Sequence, residues 1–87
     1  MSEIDKVKVT DRQSFVKFLE LLSEDLRVNK SEWQNETLED FIEAMSQYAE
    51  DIQGYYDNTQ QPGEVTNADV ASWQTFSEIF KGARIYE

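Results

Sequence analysis

Three stretches of this chain repeat their apolar residues at the α-helical spacing of i, i+3, i+4 and i+7, and each follows a capping signal. In the first stretch, "TDRQ" predicts a capping box with Thr10 as the N-cap and Gln13 reaching back to it. The predicted helix covers residues 11–28. Its apolar side is formed by Phe15, Phe18, Leu19, Leu22 and Leu26. Such a helix has to bury one side against another element, so the pattern favours a helical bundle.

The second and third stretches carry the same pattern. Thr37 is the expected N-cap of a helix over residues 37–54, and Gly54 suits the end of that helix or its last turn. The motif "TNAD", residues 66–69, predicts the start of a last helix over residues 69–84. No run of β-branched residues indicates a strand.

The predicted fold class is therefore all-α, a small bundle of three main helices, or of four with a short turn around Trp33. We expect a single domain over residues 1–87, with an extended lead-in over 1–9 and the bundle over 10–87. Trp33 is the expected anchor between the first two helices. The residues expected in the core are Phe15, Phe18, Leu22, Phe41, Met45, Ile52, Trp73, Phe76 and Phe80.

Composition argues against several classes of chemistry. The chain has no cysteine, and so no disulfide, thiol nucleophile or cysteine-bound zinc. It also has no histidine, the commonest metal ligand and general base. We therefore expect a protein that is not an enzyme and that holds no metal or cofactor. The start, "MSEIDKVKV", lacks the apolar run of a signal peptide, and no stretch is long and apolar enough for a membrane span, so a cytoplasmic protein is expected.

The net charge of −10 is unevenly distributed. Residues 31–80 contain eleven Asp and Glu and no Lys or Arg, whereas acids and bases are balanced in residues 1–30. A field of this sign repels nucleic acids and anionic membranes and attracts basic surfaces. The expected partner is a basic protein surface, with no nucleic acid and no membrane, and the pattern leaves the oligomeric state open.

Five carboxylates of the second helix share an arc of about 120° opposite its apolar side. This acidic row is Glu39, Asp40, Glu43, Glu50 and Asp51. Catalytic carboxylates need burial or a crowding partner, and a solvent-facing row offers neither. Like charges at i,i+3 and i,i+4, as in Asp40–Glu43 and Glu39–Glu43, each cost about 0.2–0.5 kcal/mol. Glu50 and Asp51 fall near the predicted C-terminus of the helix, where its dipole disfavours anions.

Two tyrosines follow the acidic row. Tyr56 lies on the apolar side and is predicted to be in the core, whereas Tyr55 lies at the boundary and suits an interface anchor. The terminal Ile85 and Tyr86 are expected to fold back onto the bundle. The predicted partner-binding site is the acidic row together with Tyr55. Two alternatives stay open, a solvated face without a specific partner and an enzyme using a buried carboxylate.

Four motifs resemble a family of small acidic bacterial domains of unknown function. They are "WQNETLEDF" (33–41), "EDIQGYY" (50–56), "SWQTF" (72–76) and "ARIYE" (83–87). This resemblance implies no activity or ligand. A much looser likeness is to the immunity proteins of nuclease bacteriocins, which are short acidic helical bundles with a Tyr-Tyr pair beside acidic residues. It implies a toxin-neutralising role, although Asp57 follows the pair here where those proteins have proline.

Overall fold

The computed structural model describes Ile4 and residues 6–86. Within this part of the chain lie three α-helices, one short 3-10 helix and no strand, which confirms the all-α bundle. The elements are α1 (Arg12–Val28), the 3-10 helix (Lys30–Glu32), α2 (Leu38–Thr59) and α3 (Trp73–Ala83).

The start of α1 lies one residue later than predicted. The N-cap is Asp11 and not Thr10, because Ser14 N–H donates to Asp11 Oδ1 at 2.8 Å. The reciprocal bond of the capping box runs from Asp11 N–H to Ser14 Oγ at 3.1 Å. Ser14 therefore takes the role that the sequence pattern assigned to Gln13.

The start of α2 is confirmed and its end is not. Thr37 Oγ1 accepts a hydrogen bond from Asp40 N–H at 3.1 Å, as an N-cap does. The helix then continues through Gly54 to Thr59, so the predicted end at Gly54 is wrong. A helical glycine costs only about 1 kcal/mol relative to alanine. The burial of Tyr56, which is 0% exposed, outweighs that cost.

The start of α3 was predicted too early. Its N-cap is Ser72, whose Oγ accepts from Thr75 N–H at 3.0 Å, and residues 66–69 lie outside the helix. These residues are instead hydrogen-bonded to α2 through the side chain of Gln53. Gln53 Nε2 donates to the Thr66 carbonyl at 2.8 Å, and Ala68 N–H donates to Gln53 Oε1 at the same distance. A local capping motif was thus replaced by contacts with a side chain from another helix.

The third helix lies between the other two. It packs against both α1 and α2, most extensively against α2, while α1 and α2 share at most a marginal contact. The Phe80 ring joins the two sides, since its centroid lies 6.0 Å from that of Phe15 and 6.3 Å from that of Phe41.

The core is less aromatic than predicted. Its buried hydrophobic residues, among those described, are Ile4, Val9, Phe18, Leu22, Trp33, Ala44, Ile52, Tyr56 and Ala83. The predicted anchor Trp33 and the predicted core tyrosine Tyr56 are both confirmed. Phe15, Phe41, Met45 and Phe80 are only half-buried.

Two predicted core residues are on the surface. Trp73 is 37% exposed and Phe76 is 41% exposed. The reason is that small residues of α3 meet α2, since the Tyr56 hydroxyl contacts Thr75 Oγ1 at 3.4 Å and a Cβ at Gly82 would overlap the Tyr48 ring. Trp73 instead packs against Phe15 of α1, with ring centroids 5.3 Å apart, and Phe76 is left partly facing the solvent.

Candidate functional site

All five carboxylates of the acidic row are exposed. The row extends over twelve helical steps, about 18 Å along α2. None of the five forms an ion pair with any residue that the structure describes. The row is thus an uncompensated anionic strip on the surface of one regular helix.

Part of the row borders a polar hollow of about 290 Å³. The hollow is lined by Asn35, Asp40, Glu43, Ala44, Gln47 and Tyr86. Two carboxylates therefore face the same open space, where the side chain of a lysine or arginine would find acceptors. Glu39 and Glu50 are not among its lining residues.

The C-terminal segment closes one side of this hollow. Gln34 and Asn35 donate their backbone N–H groups to the Arg84 carbonyl, at 2.8 and 3.1 Å. Tyr86 packs edge-on against Tyr48, with ring centroids 5.1 Å apart. The predicted folding-back of the tail is therefore confirmed for Tyr86 but wrong for Ile85, which is 55% exposed.

Asp51 differs from the rest of the row. It accepts a hydrogen bond from the hydroxyl of Tyr86, and this bond raises the pKa of Tyr86. Asp51 therefore already serves to hold the C-terminal segment against α2. The carboxylates at the other four positions carry no such bond from a described side chain.

Tyr55 lies apart from the polar hollow. Its side chain is half-exposed and borders a second hollow of about 350 Å³, together with Tyr48, Glu78, Lys81 and Ile85. Tyr55 thus has a basic neighbour, Lys81, and it does not line the hollow that contains Asp40. The structure brings Asp40, Glu43 and Asp51 together around Tyr86 and leaves Tyr55 at the edge.

The C-terminus of α2 is at Thr59, well beyond the acidic row. Glu50 and Asp51 lie more than two turns before Thr59, so the helix C-terminus does not disfavour them and that prediction is wrong. Glu39 and Asp40 occupy the first turn, where the dipole stabilises acids. The helix dipole therefore accounts for Glu39 and Asp40. It gives no stabilisation to Glu43 and Glu50.

A buried acid escaped the sequence analysis. Asp25 is 6% exposed and accepts hydrogen bonds from Trp33 Nε1 at 2.8 Å, Asn29 Nδ2 at 2.9 Å and Arg84 at 2.8 Å. A signal existed, because at 100° per residue Asp25 projects within about 20° of Phe18 on α1. An acid inside the apolar sector of a helix needs a buried partner. These bonds fix the C-terminal segment to the end of α1.

A second buried polar group joins α2 to α3. The Tyr56 hydroxyl donates to Glu78 Oε1 at 2.7 Å, and burial raises the pKa of Tyr56. Burial likewise raises the pKa of Tyr48. Both hydroxyls are therefore protonated at neutral pH, and the two side chains pack between the helices.

Neither a cluster of metal-ligating residues nor a membrane-spanning helix occurs in the part of the chain that the structure describes. The described residues contain no group of three or more acids close enough to hold a metal ion. No described helix combines the length and the apolar content that crossing a bilayer requires. That the protein is not an enzyme stays a prediction.

The comparison with known proteins gives one positive result. No curated protein and no solved structure matches this chain. A family described as a family of unknown function, DUF7660, matches residues 11–87, which include all three helices. The match confirms the resemblance to a domain family of unknown function, while the likeness to immunity proteins stays a hypothesis. On this evidence the chain belongs to the family of unknown function DUF7660.

Proposed function

We propose that this chain is a non-catalytic protein-binding module whose acidic row docks a basic surface of another protein. The observation that supports this most directly is the exposure of five carboxylates without an ion pair to any described residue. They lie in a span, residues 31–80, that contains no Lys or Arg. A basic toxin neutralised by this face is one form of the same proposal.

The positions within the row are not equivalent. Glu39 and Asp40 suit the first turn of any helix, and Asp51 holds Tyr86, so Glu43 and Glu50 are the most informative members. Glu43 repels Glu39 and Asp40 at a cost of about 0.2–0.5 kcal/mol per pair. A local cost without a local gain is typical of residues kept for binding.

The carboxylates of the acidic row would act on the association rate, and Tyr55 would act on the dissociation rate. Uncompensated charge mainly accelerates encounter with an oppositely charged surface. Tyr55, half-exposed and rigid, would serve as an anchor that loses water on binding and slows dissociation. We therefore expect neutral variants of the row to lower the association rate and Tyr55→Ala to raise the dissociation rate.

The test begins with capture of a partner from the native lysate at low salt and continues with its binding kinetics. The row variant is Glu43→Gln/Glu50→Gln. Its control is Glu32→Gln/Glu64→Gln, which changes the net charge equally at exposed positions outside α2. We expect the row variant to associate several-fold more slowly than the control below about 0.15 M salt and the two to converge above it. Equal association rates at low salt would mean that the row is only a solvated face.

A further inference from the structure

We infer that the apolar groove between α1 and α2 seats an amphipathic helix of the partner, with lysines or arginines beside its apolar stripe. This inference rests on the proposed function and names the chemistry of the partner. The residues of the groove that carry the argument are Leu19, Leu22, Leu26, Trp33, Leu38 and Phe41.

The groove exists because of where α3 lies. That helix packs against both α1 and α2, and these two share at most a marginal contact. No residue of α3 is among those that line the groove, whose volume is about 320 Å³. Trp33 and Phe41 stack beside it with ring centroids 5.6 Å apart. The bundle is therefore open on this side, with an aromatic floor.

Large apolar side chains are exposed to solvent along the walls of the groove. Leu38 is 75% exposed and Leu19 is 37% exposed, on opposite sides of the groove. Ile42, one turn after Leu38 on α2, is 55% exposed. Single exposed leucines are ordinary, but apolar residues that line one concave surface from two helices are typical of a binding site.

The spacing on α1 suits a helical guest. Leu19, Leu22 and Leu26 follow one another at i, i+3 and i+7, so they extend about 10 Å along the groove. A guest helix that places apolar side chains at i, i+3 or i+4, and i+7 covers the same length with one stripe. Two turns of such a helix match the groove.

The charge around the groove indicates that the guest helix of the partner is basic. Glu36 is the one charged residue among the described residues that line the groove. Glu39 and Glu43 lie about 100° around α2 from the exposed Leu38 and Ile42, so the acidic row begins next to the apolar wall of the groove on its α2 side. A second copy of this chain carries −10 as well and would be repelled. A guest with basic residues beside its apolar stripe gains contacts with both surfaces.

The experiment uses synthetic helical peptides of about 18 residues, long enough to form a helix in part before binding. The first peptide has leucines at i, i+3 and i+7 with lysines beside them. The second contains the same residues in scrambled order, and the third replaces each lysine with glutamate. Trp33 is the reporter, in a Trp73→Phe background that leaves one indole, and methyl spectra of the leucines locate the bound peptide.

We expect the first peptide to bind with changes at Trp33 and at the groove leucines, and the other two to bind at least about tenfold more weakly. Leu38→Ser should lower the affinity for the first peptide by about tenfold or more, because a leucine contact is lost. Val70→Ser, at a residue 61% exposed outside the groove, is the matched control and should bind as the parent does.

The outcomes separate this inference from the proposed function. Equal binding of the ordered and scrambled lysine peptides, or an unchanged affinity of Leu38→Ser, would overturn the groove and leave the acidic row standing. The absence of binding by the first peptide at millimolar concentration would also overturn the groove. Equal binding of the lysine and glutamate peptides would contradict the claim that the guest helix is basic. The variant Glu43→Gln/Glu50→Gln tests the acidic row separately.

Discussion

Asp25 connects distant parts of the chain through one buried carboxylate. Its partners Asn29, Trp33 and Arg84 come from the end of α1, the 3-10 segment and the C-terminal segment. The Arg84 contact joins residues 59 positions apart. An acid removed from water in this way is held by its bonds, and the bonds in turn fix the positions of its partners.

The first prediction concerns the loss of this carboxylate. Asp25→Ala removes the buried carboxylate that the Arg84 guanidinium, 14% exposed, contacts at 2.8 Å, and should lower the free energy of unfolding by about 3–5 kcal/mol. The control is Glu24→Ala. Glu24 pairs with Arg27 at 3.7 Å on the surface, and its loss should cost less than about 1 kcal/mol. Urea unfolding compares the two, and similar losses would contradict the importance of the buried pair.

The second prediction concerns Tyr56 at alkaline pH. Burial raises its pKa in the folded protein above the unfolded value of about 10. A raised folded pKa means that the neutral tyrosine stabilises the fold fully below pH of about 10 and loses this contribution as pH rises further. Wild type should therefore lose stability faster above that pH than Tyr56→Phe, which has no phenol to ionise there.

Urea unfolding at several pH values between neutral and strongly alkaline measures this difference. The pKa values of Tyr48 and Tyr86 are also raised, but both tyrosines are present in the two proteins, so their effect cancels in the difference. Parallel stability curves for wild type and Tyr56→Phe would show that burial of this hydroxyl has no energetic consequence.

At the scale of the helices, the sequence predicted what periodicity controls and missed what tertiary contacts control. All three helices were predicted, and Thr37 was identified correctly because its bond to Asp40 is local. The start of α3 was missed because the contacts of Gln53 hold residues 66–69 outside the helix. The burial of Tyr56 carries α2 past Gly54, and that burial depends on where α3 lies. Such contacts are not encoded within a single helix.

The third prediction compares two glycines in helices. A Cβ at Gly82 would overlap the ring of Tyr48, so Gly82→Ala has to displace that ring or the helix and should cost about 1–3 kcal/mol. A Cβ at Gly54 would meet nothing within 4 Å, so Gly54→Ala should stabilise α2 by about 0.5–1 kcal/mol. Thermal unfolding gives both signs. Stabilisation by Gly82→Ala would mean that the close approach of the two helices is not needed.

At the scale of the whole molecule, the exposure of the acidic row was predictable and its surroundings were not. Helical projection places the five acids opposite the apolar side of α2, and all five are exposed. The hollow beside Asp40 depends on Tyr86, and the groove depends on α3 lying between α1 and α2. Both arise from the arrangement of complete elements, for which periodicity contains no information.

The last prediction treats the charge of the whole molecule. With a net charge of −10 and no base in residues 31–80, repulsion among the acids opposes folding at low ionic strength. The Debye length falls from about 30 Å at 0.01 M to about 8 Å at 0.15 M salt, so the melting temperature should rise over this range. Glu43→Gln/Glu50→Gln should melt a few degrees higher than wild type at 0.01 M, because two like-charge pairs of about 0.2–0.5 kcal/mol each disappear.

The equally charged control Glu32→Gln/Glu64→Gln separates the row from net charge, since it removes no pair within α2. It should melt below the row variant at 0.01 M salt, and the difference should shrink at 0.15 M as screening weakens the repulsion. If the row variant instead melts below wild type, Glu43 and Glu50 stabilise the fold, and the cost that suggests a binding role does not exist. A variant that is more stable and yet associates more slowly with a partner would show that the row is kept for binding at the expense of stability.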